Sequence, residues 1–356
     1  MVYIVIKWAH WLHLMHNLYV SIKNLSWNIM TTSLLRFGIK STVEMAVMLN
    51  RSFVGSSVLS LERGPVDGAV QILPLPNIKL VLVELNKKVA FCADRKGGNY
   101  HFSLNLSDDP AHECVVAQGV SIARPAIFGF NNELKDLDLQ LSVGCRFCSI
   151  IIPDLFLMTK LAEYGATNVQ NILDKFNILS SRSVPSGLIL YLNQLWSNLS
   201  SLYLSPQLIE DEILSILIEC FMSNHDRKVG IAIDRCDRHE AALQVLALTS
   251  SSPSKPFEIK DLCSLLHQSR TSVFNGCKEK FQMSPLQVVR SVRLHQVRHA
   301  LMNTEFCVEN NIHGVLGVAA HFGYVGRSHF ARYYKQEFLE IPSQTLSDRR
   351  RSDQSF

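Results

Sequence analysis

Three groups of residues have the types and spacing to do chemistry. The first is basic and polar. Arg327, Ser328, Arg332 and Lys335 share one side of a segment whose other side carries Phe330, Tyr334 and Phe338 at intervals of four. The guanidinium fork of arginine matches guanine in the major groove of DNA, and lysine meets phosphate as a point charge. The second group is the pair Cys145 and Cys148, the spacing of a redox dithiol or of half a zinc site. A structural zinc needs a second pair, and these two lie in an apolar run, VGCRFCSIII, so packing is their expected role. The third group is rich in histidine: His101 with His112 and Glu113, and further upstream His10, His13 and His16. The former lack close His-x-His spacing and are expected at the surface. The latter would drift over about 120° on a helix and could not share an ion. No metal, no cofactor and no catalytic residue is therefore expected. The nucleophile elbow, the metalloprotease motif and the Walker-type loop are all missing from the sequence, which argues against an enzyme.

Basic side chains read DNA only from a helix held at a fixed angle, so the surrounding elements matter. Ala319 and Phe322 mark one face of a short helix, Gly323-Tyr324-Val325-Gly326 breaks it, and the segment with Arg327 and Arg332 follows as a second helix. The pattern recurs 57 positions earlier. Phe330, Tyr334 and Phe338 fall on Val273, Cys277 and Phe281, while Lys335 falls on Lys278 and Pro342 on Pro285. One repeat fixes an architecture. Between the copies lies Leu286–Met302, LQVVRSVRLHQVRHALM, with Ser284 placed to cap it and Pro285 in its first turn. A helix of that length spans roughly 25 Å, enough to set two reading helices near one turn of DNA, about 34 Å, apart. The expected unit is a pair of helix-turn-helix motifs joined by a long helix.

These residues carry a resemblance to the AraC/XylS transcription regulators over roughly Arg235 to Arg350. Asp261-Leu262-Cys263 and Ser269-Arg270-Thr271 carry it in the first motif, and Arg293-Leu294 with Val297-Arg298 in the joining helix. In the second it rests on Ala319 to Tyr324, His329 to Lys335 and Pro342-Ser343. The ending Pro-Ser-x-Thr-Leu, Pro342 to Leu346, is similar to the branch containing ethanolamine-utilisation regulators. Leu339 stands where the family usually has glycine. The resemblance implies DNA contact by Arg270, Thr271, Ser272, Asn275 and Lys278 in the first motif. In the second it implies Gly326, Arg327, Ser328, Arg332 and Lys335. Base edges fall to Arg270, Thr271, Asn275, Arg327, Ser328 and Arg332, with Lys335 on phosphate. It further implies a cytoplasmic protein with a cupin-like β-barrel sensor for a small-molecule effector. RNA polymerase and a second copy of the chain are the protein partners it allows.

The 356 residues, 47% hydrophobic and 19% charged, describe a core-rich chain with room for two domains. From Arg235 onward 16 Lys+Arg stand against 11 Asp+Glu, a net +5, whereas the rest is −1 (19 against 20). The excess lies where phosphates would be met. Nine scattered cysteines fit reduced thiols. Residues 1–29 read as a doubtful leader, with translation expected to begin at Met30. Residues 30–157 alternate with period two, as in Tyr100, Phe102, Leu104 and Leu106 and in Leu137, Leu139 and Leu141, and read as the β-rich sensor. Residues 158–222 turn helical and could pair two subunits or cover their own barrel. Residues 223–234 read as a linker, and 235–356 as the DNA-binding domain. The expected fold class is thus α+β, a barrel with following helices and then an all-α domain. Two rival functions remain: a non-specific nucleic-acid binder, and a cupin enzyme fused to a DNA-binding tail. Aromatics at core spacing disfavour the first, because stacking platforms must be exposed.

Overall fold

The computed structural model describes residues 34–107, 115–180, 184–198, 205–223, 228–231, 237–324 and 327–353. The leader with its three histidines lies outside them, as do His112, Glu113 and Gly326.

The N-terminal half consists of two antiparallel sheets. One runs β1 (Leu35–Ile39), β3 (Gly68–Pro74), β4 (Lys79–Leu85), β11 (Arg146–Pro153), β6 (Asn99–Asn105), β9 (Ala126–Phe128), β12 (Phe176–Ser180), β13 (Lys228–Ile231). The other runs β2 (Val54–Ser60), β5 (Val89–Asp94), β10 (Asp136–Leu141), β7 (Val115–Ala117), β8 (Val120–Ile122). Strands β4 and β11 are apolar at nearly every position because both faces of their sheet are covered. Leu80, Leu82, Phe102, Ile150 and Ile152 point to helices, whereas Val81, Val83, Phe147 and Ile151 point to the second sheet. The polar break Asn86-Lys87-Lys88 carries the chain from one sheet to the other. The expected barrel is not closed. Among the described strands none of the first sheet pairs with one of the second, and the two stack as a sandwich around a common core. Strands β7, β8 and β9 have three residues each, too short to carry a ladder around the gap.

Four helices close the outer face of the larger sheet: α2 (Asp154–Glu163), α3 (Asn168–Lys175), α4 (Val184–Asn198) and α5 (Pro206–Met222). Leu188, Leu192 and Leu195 of α4 and Ile213, Leu217 and Phe221 of α5 enter its core. Phe221 meets Phe102 and Phe130 edge-on at 5.7 and 5.0 Å. Glu210, fully buried, accepts from Asn77 N, Asn77 Nδ2 and Ile78 N at 2.6, 2.7 and 3.1 Å, which satisfies its charge and pins α5 to the β3–β4 turn. Three elements depart from the expected layout. Helix α1 (Thr42–Leu49), capped by Ser41, interrupts the strand-rich region. Strand β12 lies within the region expected to be helical. The segment expected to be a linker carries β13, which extends the larger sheet by pairing with β12.

The C-terminal half is helical: α6 (Asp237–Ser251), α7 (Ile259–Leu265), α8 (Arg270–Phe281), α9 (Pro285–Met302), α10 (Thr304–Glu309), α11 (Gly314–His321), α12 (Arg327–Phe338) and α13 (Pro342–Asp353). Helices α8 and α12 have 12 residues each, and their ends lie 57 positions apart, the register of the sequence repeat. The bridging helix α9 divides its side chains between two cores. Val288, Val289 and Val292 join Val273, Cys277 and Phe281, while Leu294, Val297 and Leu301 join Phe330, Tyr334 and Phe338. Gln287 Oε1 accepts from Ser284 N at 2.7 Å to form its capping box.

The two halves dock through the outer face of the smaller sheet. Leu59, Ala90 and Cys92 pack into the core that holds Ala242, Leu246 and Val289. Polar contacts surround that patch. Arg298 Nη1 donates to Lys40 O at 2.8 Å, His299 Nδ1 lies 3.5 Å from Glu44 Oε1, and Gly64 N donates to Glu337 O at 2.7 Å. Burial alone would raise the pKa of the Glu337 carboxyl. The nearby His295 imidazole, the Ser291 hydroxyl and the charge of Arg63 outweigh that and hold it below the ordinary value. A depressed carboxylate stabilises the fold fully above its unfolded pKa, about 4.3, and loses that contribution as the pH falls through the folded value. Glu337→Gln is accordingly expected to flatten the acid limb of the stability curve. An acid limb of unchanged steepness in the variant would refute the role.

Candidate nucleic-acid interface

Helix α8 begins at Ser269, whose Oγ accepts from Ser272 N at 3.0 Å, an N-cap that fixes where the helix starts. Val273, Cys277 and Phe281 bury one face, Thr271, Asn275 and Lys278 lie away from it, and Arg270 extends from the first turn in line with it; these four polar residues are all exposed. Arg270 lies over Phe274, its guanidinium carbon 5.7 Å from the ring centre. Ser272 is half-buried, and its hydroxyl donates to Gln268 Oε1 at 3.2 Å, so it braces the turn. A surface hollow of about 370 Å³ runs beside this face, lined by Asp237, Arg238, Ser269, Thr271, Ser272 and Asn275.

Helix α12 is built the same way. Phe330, Tyr334 and Phe338 are 2%, 0% and 1% exposed, and Tyr334 Oη lies 2.7 Å from Thr345 Oγ1 of α13. Arg332 sits opposite that stripe, exposed, with Lys335 beside it. Arg327 and Ser328 occupy the first turn, and their side chains lie outside the described residues. Gly323, at φ +76°, makes the turn between α11 and α12, where a left-handed residue ends one helix and redirects the chain. After each outward-facing helix comes a left-handed residue that is not glycine: Gln282 at φ +57° and Leu339 at φ +62°. Leu339 thus adopts the conformation that glycine would take, and the turn geometry survives the substitution.

The other two groups are placed differently. Cys148 of β11 is buried in the core under the helices, and Cys145, just before that strand begins, in the core between the sheets, so the two thiols lie in different cores. Burial pushes both thiols up to about 12, far from reactivity. His101 is not at the surface. It is fully buried between the sheets, 5.4 Å from the Phe53 ring, and neither ring nitrogen has a hydrogen-bond partner. Burial, with the nearby charges of Arg95 and Lys79, lowers its pKa to about 3. Ser149, on the same inner face of the adjacent strand, has a buried hydroxyl without a partner. Among the described residues no group of three or more His, Cys, Asp or Glu is placed to hold a metal, and no helix is long and apolar enough to cross a membrane.

The sequence reading missed Lys280, one position before the end of α8. Its ammonium is buried against Asp138 of β10 at 2.6 Å, with side-chain exposures of 3% and 2%. The signal was available: Lys280 lies on the same stripe as Val273, Cys277 and Phe281, where a charge must find a partner.

Residues 262–348 match the helix-turn-helix domain family. A relative, the XylDLEGF operon transcriptional activator 2 of Pseudomonas putida, is 26% identical over 135 residues, 38% of this chain and 80% of that protein. The crystal structure of a probable AraC family transcriptional regulator from Rhodopseudomonas palustris is 27% identical and covers 31% of this chain and 97% of that one, with a TM-score of 0.28. ToxT from Vibrio cholerae is 14% identical over 83% of this chain and 98% of its own, with a TM-score of 0.29. At such scores the likeness in space carries no weight, and the domain match and the sequence relative carry the assignment. The chain is a DNA-binding transcriptional regulator with a C-terminal helix-turn-helix segment. Its C-terminal segment is similar to regulators of the AraC/XylS type.

Proposed function

We propose that this regulator reads operator DNA with two helix-turn-helix units, α7–α8 and α11–α12, under the control of the N-terminal sandwich. The observation that carries the reading is the shared pattern of α8 and α12. Each buries a stripe of core residues and turns polar and basic side chains outward, at matching positions of one repeat. In this reading Arg270, Thr271 and Asn275 of α8 and Arg327, Ser328 and Arg332 of α12 face base edges in successive major grooves. Lys278 and Lys335 meet phosphates. The working division is a sensor at 30–157, helices at 158–222, a connection at 223–234 and the DNA-binding part at 235–356. The cupin-like character of the sensor is part of the proposal, as an open relative of the closed barrel. The unpartnered His101 and Ser149 support a polar effector entering between the sheets, since such groups are costly to bury unless something binds them. The protein would work in the cytoplasm without catalysing a reaction, with RNA polymerase and a second copy of itself as protein partners.

Arg332→Ala is expected to cost about 1–3 kcal/mol at the true operator and to relax preference at one base position. Lys335→Ala should weaken every duplex alike and lower the salt slope by about one. Binding of both variants to an operator library at several salt concentrations separates the roles. Equal losses on all sequences for Arg332→Ala would assign that arginine to phosphate and overturn the base-reading part.

A further inference from the structure

The bridging helix α9 is buried over most of its circumference. The stripe it leaves open carries Leu286, Gln287, Arg290 and Arg293. Both arginines rest on tyrosines of the second helix pair. The Arg290 guanidinium lies 3.9 Å from the centre of the Tyr333 ring, and Arg332 approaches the same ring at 5.1 Å. Arg293 lies 5.6 Å over Tyr324 and donates to Lys255 O at 2.8 Å. The Tyr324 hydroxyl donates to Arg290 O at 3.5 Å, which ties the backbone of α9 to the same junction. Among the described residues no carboxylate is in ion-pair range of Arg290 or Arg332; Arg332 has a side-chain hydrogen-bond contact with His329 Nδ1, at 3.2 Å.

Two guanidinium groups against one ring, without an anion, repel each other. A guanidinium stacked on an aromatic face keeps its edge N–H donors free and loses little freedom when an anion arrives. The ring therefore presents a prepared pair of cations where α9 meets α12. If α8 and α12 enter successive major grooves, the open stripe of α9 crosses the sugar-phosphate backbone between them. The arrangement belongs to the second repeat alone. The position matching Tyr333 in the first is Gly276, where α6 packs too closely for any side chain.

We propose that Arg290 binds a backbone phosphate between the two grooves and that Tyr333 is its positioning residue. This rests on the reading of the chain as a two-groove DNA binder. The test uses the full chain with a random-sequence duplex of about three helical turns, titrated at several salt concentrations. Arg290→Ala should weaken binding and lower the slope of log K against log salt by about one, the signature of one lost phosphate contact. Tyr333→Phe keeps the ring and should leave both quantities unchanged. Tyr333→Leu should reproduce part of the loss, and adding it to Arg290→Ala should cause no further loss of slope. An unchanged slope for Arg290→Ala, in a duplex the parent protein binds, overturns this proposal alone. Failure of the parent protein to bind the duplex at all overturns the DNA reading and this with it.

Discussion

Asp138→Ala is expected to loosen the helical half from the β-sandwich and to lower the unfolding midpoint of the whole chain. The carboxylate removed is the partner of Lys280 Nζ at 2.6 Å, and neither side chain reaches solvent to more than 3%. Alanine would leave that ammonium buried without its charged partner. Removing one member of a buried pair costs about 3–5 kcal/mol, because the remaining charge keeps its desolvation penalty without its partner. The chain has an escape: undocking lets Lys280 reach water at the expense of the apolar contact between sheet and helices. The expected readout is therefore faster hydrogen exchange in the last turn of α8 and in β10. The bond from Gln140 Nε2 to Lys280 O, 2.7 Å, should be lost with it. The double variant Asp138→Leu with Lys280→Met removes both charges and should recover most of the stability. A change of less than about 0.5 kcal/mol for Asp138→Ala, the range of ordinary surface substitutions, would sink the idea. Because Lys280 lies on α8 and Asp138 in the sandwich, the same contact ties the sheets to a helix proposed to face DNA.

Lys280 also marks what the sequence made legible and what it hid. The repeat of 57 was readable because it is local: each copy states its own core through residues four apart, and α8 and α12 were placed from that pattern alone. The strands around Tyr100 and Leu137 were equally plain, since alternation is a property of neighbours. Which sheet a strand joins is not local. Strands β4 and β5 look like two arms of one hairpin, yet they pair in different sheets. The burial of His101 was hidden for the same reason. Its strand neighbours Tyr100 and Phe102 point to helices, so His101 read as solvent-facing until a second sheet covered that side. Asp138 and Lys280 are separated by 142 positions, and nothing near either names the other. The repeat itself held the missed clue. Lys280 and Glu337 occupy matching positions 57 apart, and each turns inward to a polar contact beside the sandwich, with Asp138 or with Ser291 and His295. A charged residue at the same semi-buried place in both copies is a signature of docking that a helix read in isolation cannot explain. Arg270, Thr271, Asn275 and Arg332, which are proposed to face bases, were legible as exposed positions on helices, whereas the Tyr333 and Arg290 pairing required knowing which side of α12 lies against α9.

Gly276→Ala reverses the usual sign of a glycine substitution. In the interior of a helix alanine is favoured over glycine by about 1 kcal/mol, so an open site would be stabilised. Here a Cβ would sit 1.8 Å from Arg238 O and 2.8 Å from Arg238 C. Both are backbone atoms in the first turn of α6 and cannot yield by a rotamer change. Overpacking in a core costs about 1–3 kcal/mol even where side chains can shift, and this contact should lie at the upper end. The ion pair of Arg238 with Glu279, 2.9 Å apart, would be disturbed as well, but it is exposed and contributes little. The start of α6 must move off α8, and the hollow lined by Asp237, Thr271 and Asn275 changes shape with it. The expected result is a less stable protein whose DNA preference weakens at the bases facing α8 and persists at those facing α12, whose core is separate. Binding of the variant to operators altered in one half-site at a time measures this directly. A stabilised Gly276→Ala protein, or one that loses both half-sites equally, would show that α6 does not set the position of α8.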